Sequence, residues 1–316
     1  MDLFLHLFYF LISLVILIFS AEKFVSSSSS LAKGLGVSEM TIGLTIIALG
    51  TSAPEIFVGI SSIINASESI AMGTVVGSNI SNIALIFGVA CLGAISKPAQ
   101  ANLNQAWPFL LSLLMLGISL LDLRISVVES IVMLIILINF IYFIFKFNSD
   151  DVIDEIAEKD DSYGKAVLFI FLGLLGLIVG SYYCVLNAEI VAKIIGVPDL
   201  IIGLTIMAIG TSLPELAATI AALIQRKGAM VVGNILGSNI LNIVLVVPII
   251  GFFSNIELDS AILSRDFLLL VILSLLFVIT AILNQKKFFP IIATRVFGFV
   301  FISVYVLYVL RLSGLI

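Results

Sequence analysis

The segment GLTIIALGTSAPE (43–55) places a threonine, a serine, a proline and a glutamate in an apolar run, and GLTIMAIGTSLPE (203–215) repeats it. The two segments agree at ten of thirteen positions. The same shift of 160 residues aligns GTVVGSNISNI (73–83) with GNILGSNILNI (233–243), which agree at seven of eleven positions. One constant offset across both motifs indicates that the chain contains an internal duplication.

The chain is too apolar for a soluble protein. Of its 316 residues, 61% are hydrophobic and 11% are charged, whereas soluble domains average about 45–50% apolar and about 25% charged residues. Its long apolar segments suit membrane-spanning helices of roughly 20 residues and not the short alternating strands of a barrel. We therefore predict an all-α integral membrane protein. The ten predicted spans lie near residues 3–22, 40–64, 70–95, 106–121, 125–146, 165–187, 200–224, 229–253, 262–283 and 288–312.

The duplication predicts how the two halves are related. Five spans per copy is an odd number, so the second copy must cross the membrane in the opposite sense to the first. Inverted repeats of this kind are typical of transporters that bind their substrates near the bilayer midplane. We assign residues 1–147 to the first five-helix repeat, 148–164 to a linker and 165–316 to the second repeat, with the motif-bearing regions at 36–83 and 196–243.

The basic residues predict the orientation. With the N-terminus outside, the cytoplasmic loops and helix ends hold Lys23, Lys33, Lys97, Lys146, Lys159, Lys165, Arg226, Lys227, Lys286, Lys287 and Arg295, and the outside holds Arg124, Lys193, Arg265 and Arg311. The positive-inside rule then favours a plasma-membrane (inner-membrane) protein with both termini outside and the 148–164 linker in the cytoplasm. The linker carries seven acidic residues, but it lacks the spacing of an EF-hand calcium loop, so we expect a solvated segment.

The repeated proline and glutamate predict two broken helices, the second and the seventh. An ionised glutamate at this depth is costly unless something compensates its charge. Pro54 and Pro214 interrupt helical hydrogen bonding, and a helix that begins at the proline directs its positive N-terminal end at Glu55 or Glu215. The preceding half-helix ends with free carbonyl groups, and Thr51, Ser52, Thr211 and Ser212 add hydroxyl oxygens beside them. Such a break predicts a midplane cation site.

The second motif adds further oxygen ligands. Ser78 and Asn82 are four residues apart, as are Ser238 and Asn242, so each pair lies on one helical face. The combined ligands include neither thiolate nor imidazole, whereas Ca²⁺ takes 6–8 oxygen ligands. Two negative charges suit one divalent ion or several monovalent ions in alternation. We expect Asn79 and Asn239 to form helix–helix hydrogen bonds, because their rotation on the helix points away from the serines.

These motifs resemble the two α-repeats of the sodium/calcium exchangers in the cation/calcium antiporter superfamily. The resemblance implies ten transmembrane helices, with Glu55 and Glu215 as the principal calcium carboxylates. It implies that Thr51, Ser52, Thr211 and Ser212 supply oxygens to sodium and calcium, and that Ser78, Asn82, Ser238 and Asn242 complete the sites. Potassium-dependent relatives carry aspartate where this chain has Asn242, so we expect a compact prokaryotic-type exchanger that does not require potassium.

The function expected from the sequence is sodium/calcium antiport by alternating access, with calcium extrusion as its direction. Proton/calcium antiport, or antiport of another divalent cation, is the alternative, and a channel built on the same ligands also stays open. We expect no enzyme activity, because no histidine or aspartate lies in the middle of a predicted span. We expect no cofactor besides the transported Ca²⁺ and Na⁺, no nucleic acid and no obligate protein partner, only the lipid bilayer.

Two further expectations concern the first predicted helix. The run Ser26–Ser30 is expected to form an interfacial turn at its end. The helix and its repeat counterpart near 165–187, which contains Gly173, Gly176 and Gly180, are expected to slide against the rest of the protein and so switch access to the site.

Overall fold

The computed structural model describes residues 2–64, 68–93, 103–146, 163–197, 208–253, 257–285 and 290–314, and the regular structure within them is entirely helical. In the first copy, α1 is Asp2–Leu35, α2 is Glu39–Thr51, α3 is Ala53–Ile64, α4 runs through Glu68–Ser81, Asn82–Phe87 and Gly88–Gly93, α5 is Leu103–Ser119 and α6 is Val127–Lys146. In the second copy, α7 is Tyr163–Ile194, α8 is Ala208–Gly210, α9 is Leu213–Ile224, α10 runs through Gly228–Leu241, Asn242–Val246 and Val247–Phe253, α11 runs through Ile262–Phe267 and Leu268–Gln285, and α12 is Ile291–Leu312.

The described residues confirm a multi-pass helical membrane protein. Seven helices are long and apolar enough to cross a bilayer, and α2 with α3 forms a bent pair that qualifies as one further span. Two shorter apolar helices, Ala106–Ser119 and Leu213–Ile224, correspond to the predicted spans 106–121 and 200–224. Residues 198–207 lie outside the described part of the chain, so the count of ten spans stays a prediction.

The motif-bearing helices α4 and α10 form the centre of the protein. In their most apolar 18-residue windows, 78% of α4 and 83% of α10 is buried, compared with 11% of α1 and 28% of α7. The two repeats of the sequence therefore meet in the interior, while the long helices α1 and α7 lie at the lipid-facing periphery. This arrangement fits the composition, since helices that are apolar on all sides are stable against lipid.

The helices α1 and α7 occupy equivalent positions in the two copies and run antiparallel, as expected for inverted repeats. Three glycines of α7 contact α1: Gly173 lies against Phe24, Gly176 against Ser20 and Gly180 against Leu17. Small residues let helix backbones approach closely in a membrane. The predicted sliding pair is thus a closely packed two-helix unit.

Both long helices end in the same way. Gly36 has φ +65° and Gly196 has φ +85°, a conformation that glycine adopts without steric cost. The following valines donate back into the last turn, Val37 to the Ala32 carbonyl at 3.0 Å and Val197 to the Ala192 carbonyl at 2.9 Å. These are glycine C-caps, and they fix the start of each motif-bearing region relative to the helix before it.

The expected interfacial turn at Ser26–Ser30 is wrong, because these residues lie inside α1. Two of their hydroxyls donate to backbone carbonyls of the same helix: Ser26 to the Lys23 carbonyl and Ser30 to the Ser26 carbonyl, both at 3.1 Å. Ser29 donates to Glu39 at 2.9 Å and so connects α1 to the first turn of α2. Serine is compatible with a helix when its hydroxyl bonds a carbonyl one turn back, so α1 extends well past the predicted 3–22 span.

Hydrogen bonds between loops and helix ends lie at two opposite sides of the helical bundle. The Tyr163 hydroxyl donates to the Gly34 carbonyl, and Gln225 Nε2 donates to the Glu22 carbonyl at 3.2 Å. At the opposite side, the Leu258 amide donates to the Leu123 carbonyl at 2.7 Å. The first side holds helix ends predicted to be cytoplasmic, and the second holds loops predicted to be outside.

Candidate cation site

The second predicted span is broken at the position that the sequence predicts. The helices Glu39–Thr51 and Ala53–Ser61 meet at an angle of 42°, and Ser52 between them has φ −80° and ψ 4°. Pro54 follows in the first turn of α3, where its missing N–H is tolerated. The break arises because proline cannot donate the hydrogen bond that would continue α2.

The second copy repeats the break in its described part. The short helix α8 ends at Gly210, residues 211–212 form a turn, and α9 begins at Leu213 with Pro214 in its first turn. Each break is therefore followed by a helix whose N-terminal end lies beside a glutamate in its first turn, Glu55 in α3 and Glu215 in α9. The partial positive charge of a helix N-terminus stabilises an anion placed there.

The two glutamates lie in the interior and are joined to neighbouring helices. Each side chain is only 1% exposed. Ser52 of the first break donates to Glu215 Oε1 at 3.2 Å, which connects the two copies. Ser78 of α4 donates to Glu55 Oε1 at 3.3 Å. Because Ser52 lies three residues before Glu55, its contact with Glu215 places the two carboxyl groups in the same region, where both are available to one cation.

The breaks are held against the central helices by close packing of glycines. A Cβ atom on Gly233 would lie 2.5 Å from the Met40 carbonyl oxygen, and one on Gly237 would lie 2.6 Å from the Leu44 carbonyl oxygen. The absence of a side chain thus lets α10 lie directly on α2, as the GxxxG spacing predicts.

The two serine–asparagine motifs lie where α4 and α10 change their winding. A π-helical turn begins at Asn82 in α4 and at Asn242 in α10. Such turns are rare and often occur at functional sites, because they alter the direction in which side chains project. Asn82 is 1% exposed, and Ser238 and Asn242 are completely buried.

Several buried oxygens of the predicted site have no hydrogen-bond partner among the described residues. Leaving a buried polar atom unpaired is costly, so their concentration in one region indicates a ligand. The residues that carry these atoms are Glu55 (Oε2), Glu215 (Oε2), Asn82 (Oδ1), Asn242 (Oδ1), Ser212 (Oγ) and Ser238 (Oγ). They are hard carboxylate, amide and hydroxyl oxygens, the types that Ca²⁺ prefers. Only two of these residues are acidic, and the described residues contain no group of three or more His, Cys, Asp or Glu that could hold a metal.

The two predicted threonine ligands differ from each other. The Thr51 hydroxyl is completely buried and donates to the Ile47 carbonyl at 3.0 Å. Thr211 is half-buried and lines a cavity of about 400 Å³ between α7 and the second break, together with Gly210 and Pro214. Of the ten predicted site residues, Thr211 alone is not buried in the structure.

A polar contact that the sequence analysis missed lies one helical turn from Ser238. Asn234 is 2% exposed; its Oδ1 lies 3.3 Å from Thr51 Oγ1, whose one proton it shares with the Ile47 carbonyl, and its Nδ2 donates to Thr219 Oγ1 at 3.4 Å. This side chain of α10 therefore joins both broken helices. Asn234 lies four residues before Ser238, which places it on the same helical face as the predicted ligand. The first copy carries Thr74 at the equivalent position, so comparing the two copies did not identify Asn234.

The expectation for the two further asparagines is confirmed for one of them. Asn79 donates to the backbone carbonyl of Asn239 on the facing helix at 3.4 Å. The side chain of Asn239 instead donates to the Ile235 carbonyl of its own helix at 2.7 Å. The prediction that the Asn239 side chain links two helices is therefore wrong, because a carbonyl one turn back lies nearer to it.

Comparison with known proteins agrees with this geometry. The family described as sodium/calcium exchanger protein matches residues 5–146 and 165–314. The chain is 31% identical over 288 residues to sodium/calcium exchanger MaX1 of Methanosarcina acetivorans, covering 77% of this chain and 81% of that protein. It is 32% identical over 278 residues to the inner membrane protein YrbG of Escherichia coli, covering 84% and 86%. A structure of the sodium-calcium exchanger NCX_Mj, soaked with zero Na⁺ and Ca²⁺, superimposes with a TM-score of 0.81 at 29% identity and covers 98% of this chain and 99% of that one.

Proposed function

This chain belongs to the sodium/calcium exchanger protein family, and on that premise we propose that it is a secondary active antiporter that exchanges Na⁺ for Ca²⁺. The observation that carries the proposal is the pair of buried glutamates, each at a helix N-terminus and each with one carboxylate oxygen that has no hydrogen-bond partner in the described part of the chain. Two carboxylates balance the charge of one calcium ion, and the surrounding neutral oxygens complete its coordination. Sodium ions compete for the same oxygens, so binding of one cation excludes the other.

The same carboxylates provide the coupling. Without a cation, two negative charges lie in a buried region, and moving that region past the apolar interior of the protein and lipid is costly. Calcium or several sodium ions remove this cost by neutralising Glu55 and Glu215. The loaded site therefore changes its exposure more readily than the empty one, which is the requirement for exchange instead of leakage.

The helix pair α1 and α7 is the element that we propose to move. It contacts the rest of the protein across incompletely packed interfaces. One cavity of about 350 Å³ separates Leu17 and Ala21 of α1 from Leu216 and Ile220 of α9. The cavity of about 400 Å³ near Thr211 separates α7 from the second break. Where few atoms are in contact, sliding the helix pair past the rest of the protein breaks few dispersion contacts. The glycine contacts between α1 and α7 keep the pair together.

The finer features of the proposal follow from the sequence. Site positions Thr51, Ser52, Thr211, Ser212, Ser78, Asn82, Ser238 and Asn242 would contribute oxygens around the glutamates. The distribution of basic residues supports both termini outside and the 148–164 linker in the cytoplasm of a plasma-membrane (inner-membrane) protein. Calcium extrusion is the proposed direction, driven by sodium that enters down its gradient. The amide at Asn242 supports transport without potassium, and the site needs no enzyme chemistry, cofactor or protein partner.

Calcium-45 uptake into proteoliposomes tests the proposal. Vesicles loaded with sodium, with potassium or at acid internal pH are diluted into medium containing calcium, with and without external potassium. We expect uptake only from sodium-loaded vesicles, with no effect of external potassium. Uptake driven by the pH gradient would instead establish proton/calcium antiport. Calcium flux that needs no counter-ion would establish a channel.

A further inference from the structure

Three buried asparagines form a chain of amide contacts between the two central helices. Asn79 Nδ2 donates to the backbone carbonyl oxygen of Asn239 at 3.4 Å, and Asn242 Nδ2 donates to Asn79 Oδ1 at 3.2 Å. The side chains of Asn79, Asn239 and Asn242 are all 0% exposed. Asn79 comes from the first copy of the repeat, and the other two come from the second.

The backbone carbonyl of Asn239 fixes the orientation of the two amide side chains in this series of hydrogen bonds. A backbone carbonyl oxygen can only accept a hydrogen bond, so it selects the nitrogen of Asn79 and repels its oxygen. The Asn79 oxygen then points away from the Asn239 carbonyl and toward Asn242. Because an amide oxygen can only accept a hydrogen bond, it selects the amide nitrogen of Asn242. The oxygen of Asn242 must then point away from Asn79, and it has no hydrogen-bond partner among the described residues. The carbonyl of Asn239 thus determines which atom Asn242 presents.

The first copy lacks the equivalent contact. Asn82 corresponds to Asn242, and neither its amide nitrogen nor its amide oxygen has a partner among the described residues. The Asn239 amide, which would have to hold Asn82, donates into its own helix at the Ile235 carbonyl. Within the described residues the two asparagines of the repeated motif are therefore not equivalent: Asn242 is held in one orientation by Asn79, and Asn82 has no such contact.

We propose that Asn79 is a positioning residue that holds the Asn242 amide with its oxygen toward the cation site. This proposal rests on the proposed function, which identifies the ion as calcium. Held in this way, Asn242 is a neutral oxygen ligand that needs no reorganisation when an ion arrives. Asn79 also disfavours an ionised aspartate at 242, because a carboxylate oxygen has no proton to donate and would face the Asn79 oxygen at hydrogen-bond distance.

Equilibrium binding of calcium-45 to the purified full-length protein tests this without any ion gradient. We expect Asn79→Leu and Asn242→Ala each to weaken calcium binding about tenfold or more, the usual effect of losing a residue that orients a metal ligand. The double variant should bind no more weakly than Asn242→Ala alone, because Asn79 acts through Asn242. Wild-type affinity in Asn79→Leu, or losses that multiply in the double variant, would overturn the inference.

The effect of Asn79→Leu on calcium affinity should change sign between two backgrounds, and this distinguishes a positioning role from a general structural role. Asn79→Leu should weaken calcium binding in the wild-type background but strengthen it in the Asn242→Asp background, where it removes an oxygen that faces the new carboxylate. Weakening in both backgrounds would mean that Asn79 only supports packing, and the inference would be wrong. Asn139→Leu serves as the matched control, since Asn139 is exposed and bonds only the Ile135 carbonyl of its own helix in the described structure.

Protein quality and the proposed function are checked separately. Each variant is compared with the wild type by size-exclusion chromatography and thermal unfolding, and Asn79→Ser replaces Asn79→Leu where the latter does not fold. If the wild type binds calcium but shows no sodium-dependent exchange, the proposed function is wrong, while the binding titrations still decide the role of Asn79. If the wild type binds no calcium, both are overturned.

Discussion

Replacing Glu215 with glutamine removes one charge from the candidate site and changes little else. Glutamine has almost the same volume, and its amide oxygen can still accept the hydrogen bond that Ser52 donates at 3.2 Å. The side chain is 1% exposed, so water does not compensate the lost charge. Removing one partner from a buried charge pair costs about 3–5 kcal/mol, which corresponds to a loss of calcium affinity of roughly a hundredfold to several thousandfold.

The assay combines calcium-45 binding with sodium-driven uptake, and Glu257→Gln is the matched control. Glu257 forms an ion pair with Arg124 at 3.2 Å, but its side chain is 66% exposed, so its substitution should leave both measurements unchanged. Glu215→Gln should unfold in calcium-free buffer at about the same temperature as the wild type, because glutamine keeps the volume of the side chain and the acceptor for Ser52. Calcium affinity close to that of the wild type would refute the assignment of Glu215 to the site.

Three smaller predictions address single contacts. Ser52→Ala removes the donor to Glu215 Oε1 and should weaken calcium binding by about 1.5–3 kcal/mol, the usual value for a hydrogen bond to a charged group; unchanged binding would show that the contact does not hold the carboxylate. Gly233→Val places atoms on the Met40 carbonyl and should lower the free energy of unfolding by about 1–3 kcal/mol, measured by thermal unfolding in detergent; a stability equal to that of the wild type would contradict the close helix contact. Arg124→Ala removes an exposed ion pair that is worth at most about 1 kcal/mol, so its unfolding temperature and transport should match those of the wild type at all salt concentrations; a clear loss would mean that this loop contributes more than its exposure suggests.

The broken helices were predictable because their cause is local. Pro54 cannot donate a backbone hydrogen bond wherever it lies, so the position of the first break follows from the chain alone. The duplication then identified the second break and paired Glu55 with Glu215, since one offset applies to the whole motif. The close packing of α10 on α2 was predictable from the spacing of Gly233 and Gly237, because two glycines four residues apart on one helix face allow another helix backbone to approach closely in a membrane.

The errors arose where a polar side chain had more than one available partner. The run Ser26–Ser30 was expected to be a turn, yet it lies inside α1, where the Ser26 and Ser30 hydroxyls donate to carbonyls of that helix and the Ser29 hydroxyl donates to Glu39. The Asn239 amide was expected to cross to another helix, yet it bonds its own. Sequence spacing gives the face on which a side chain lies, but not which nearby acceptor it selects.

The sequence by itself determined the membrane class, the duplication, the places where the helices break and the types of atoms in the candidate site, because these depend on composition and on local backbone chemistry. Only the tertiary structure decided how the two copies differ within that site. It shows Ser52 on Glu215, Asn234 between both broken helices, and Asn242 held by Asn79, whereas Asn82 has no equivalent contact among the residues that the structure describes. The physical reason is that identical motifs meet different neighbours once the two copies pack together, and a hydrogen bond depends on the position of both partners.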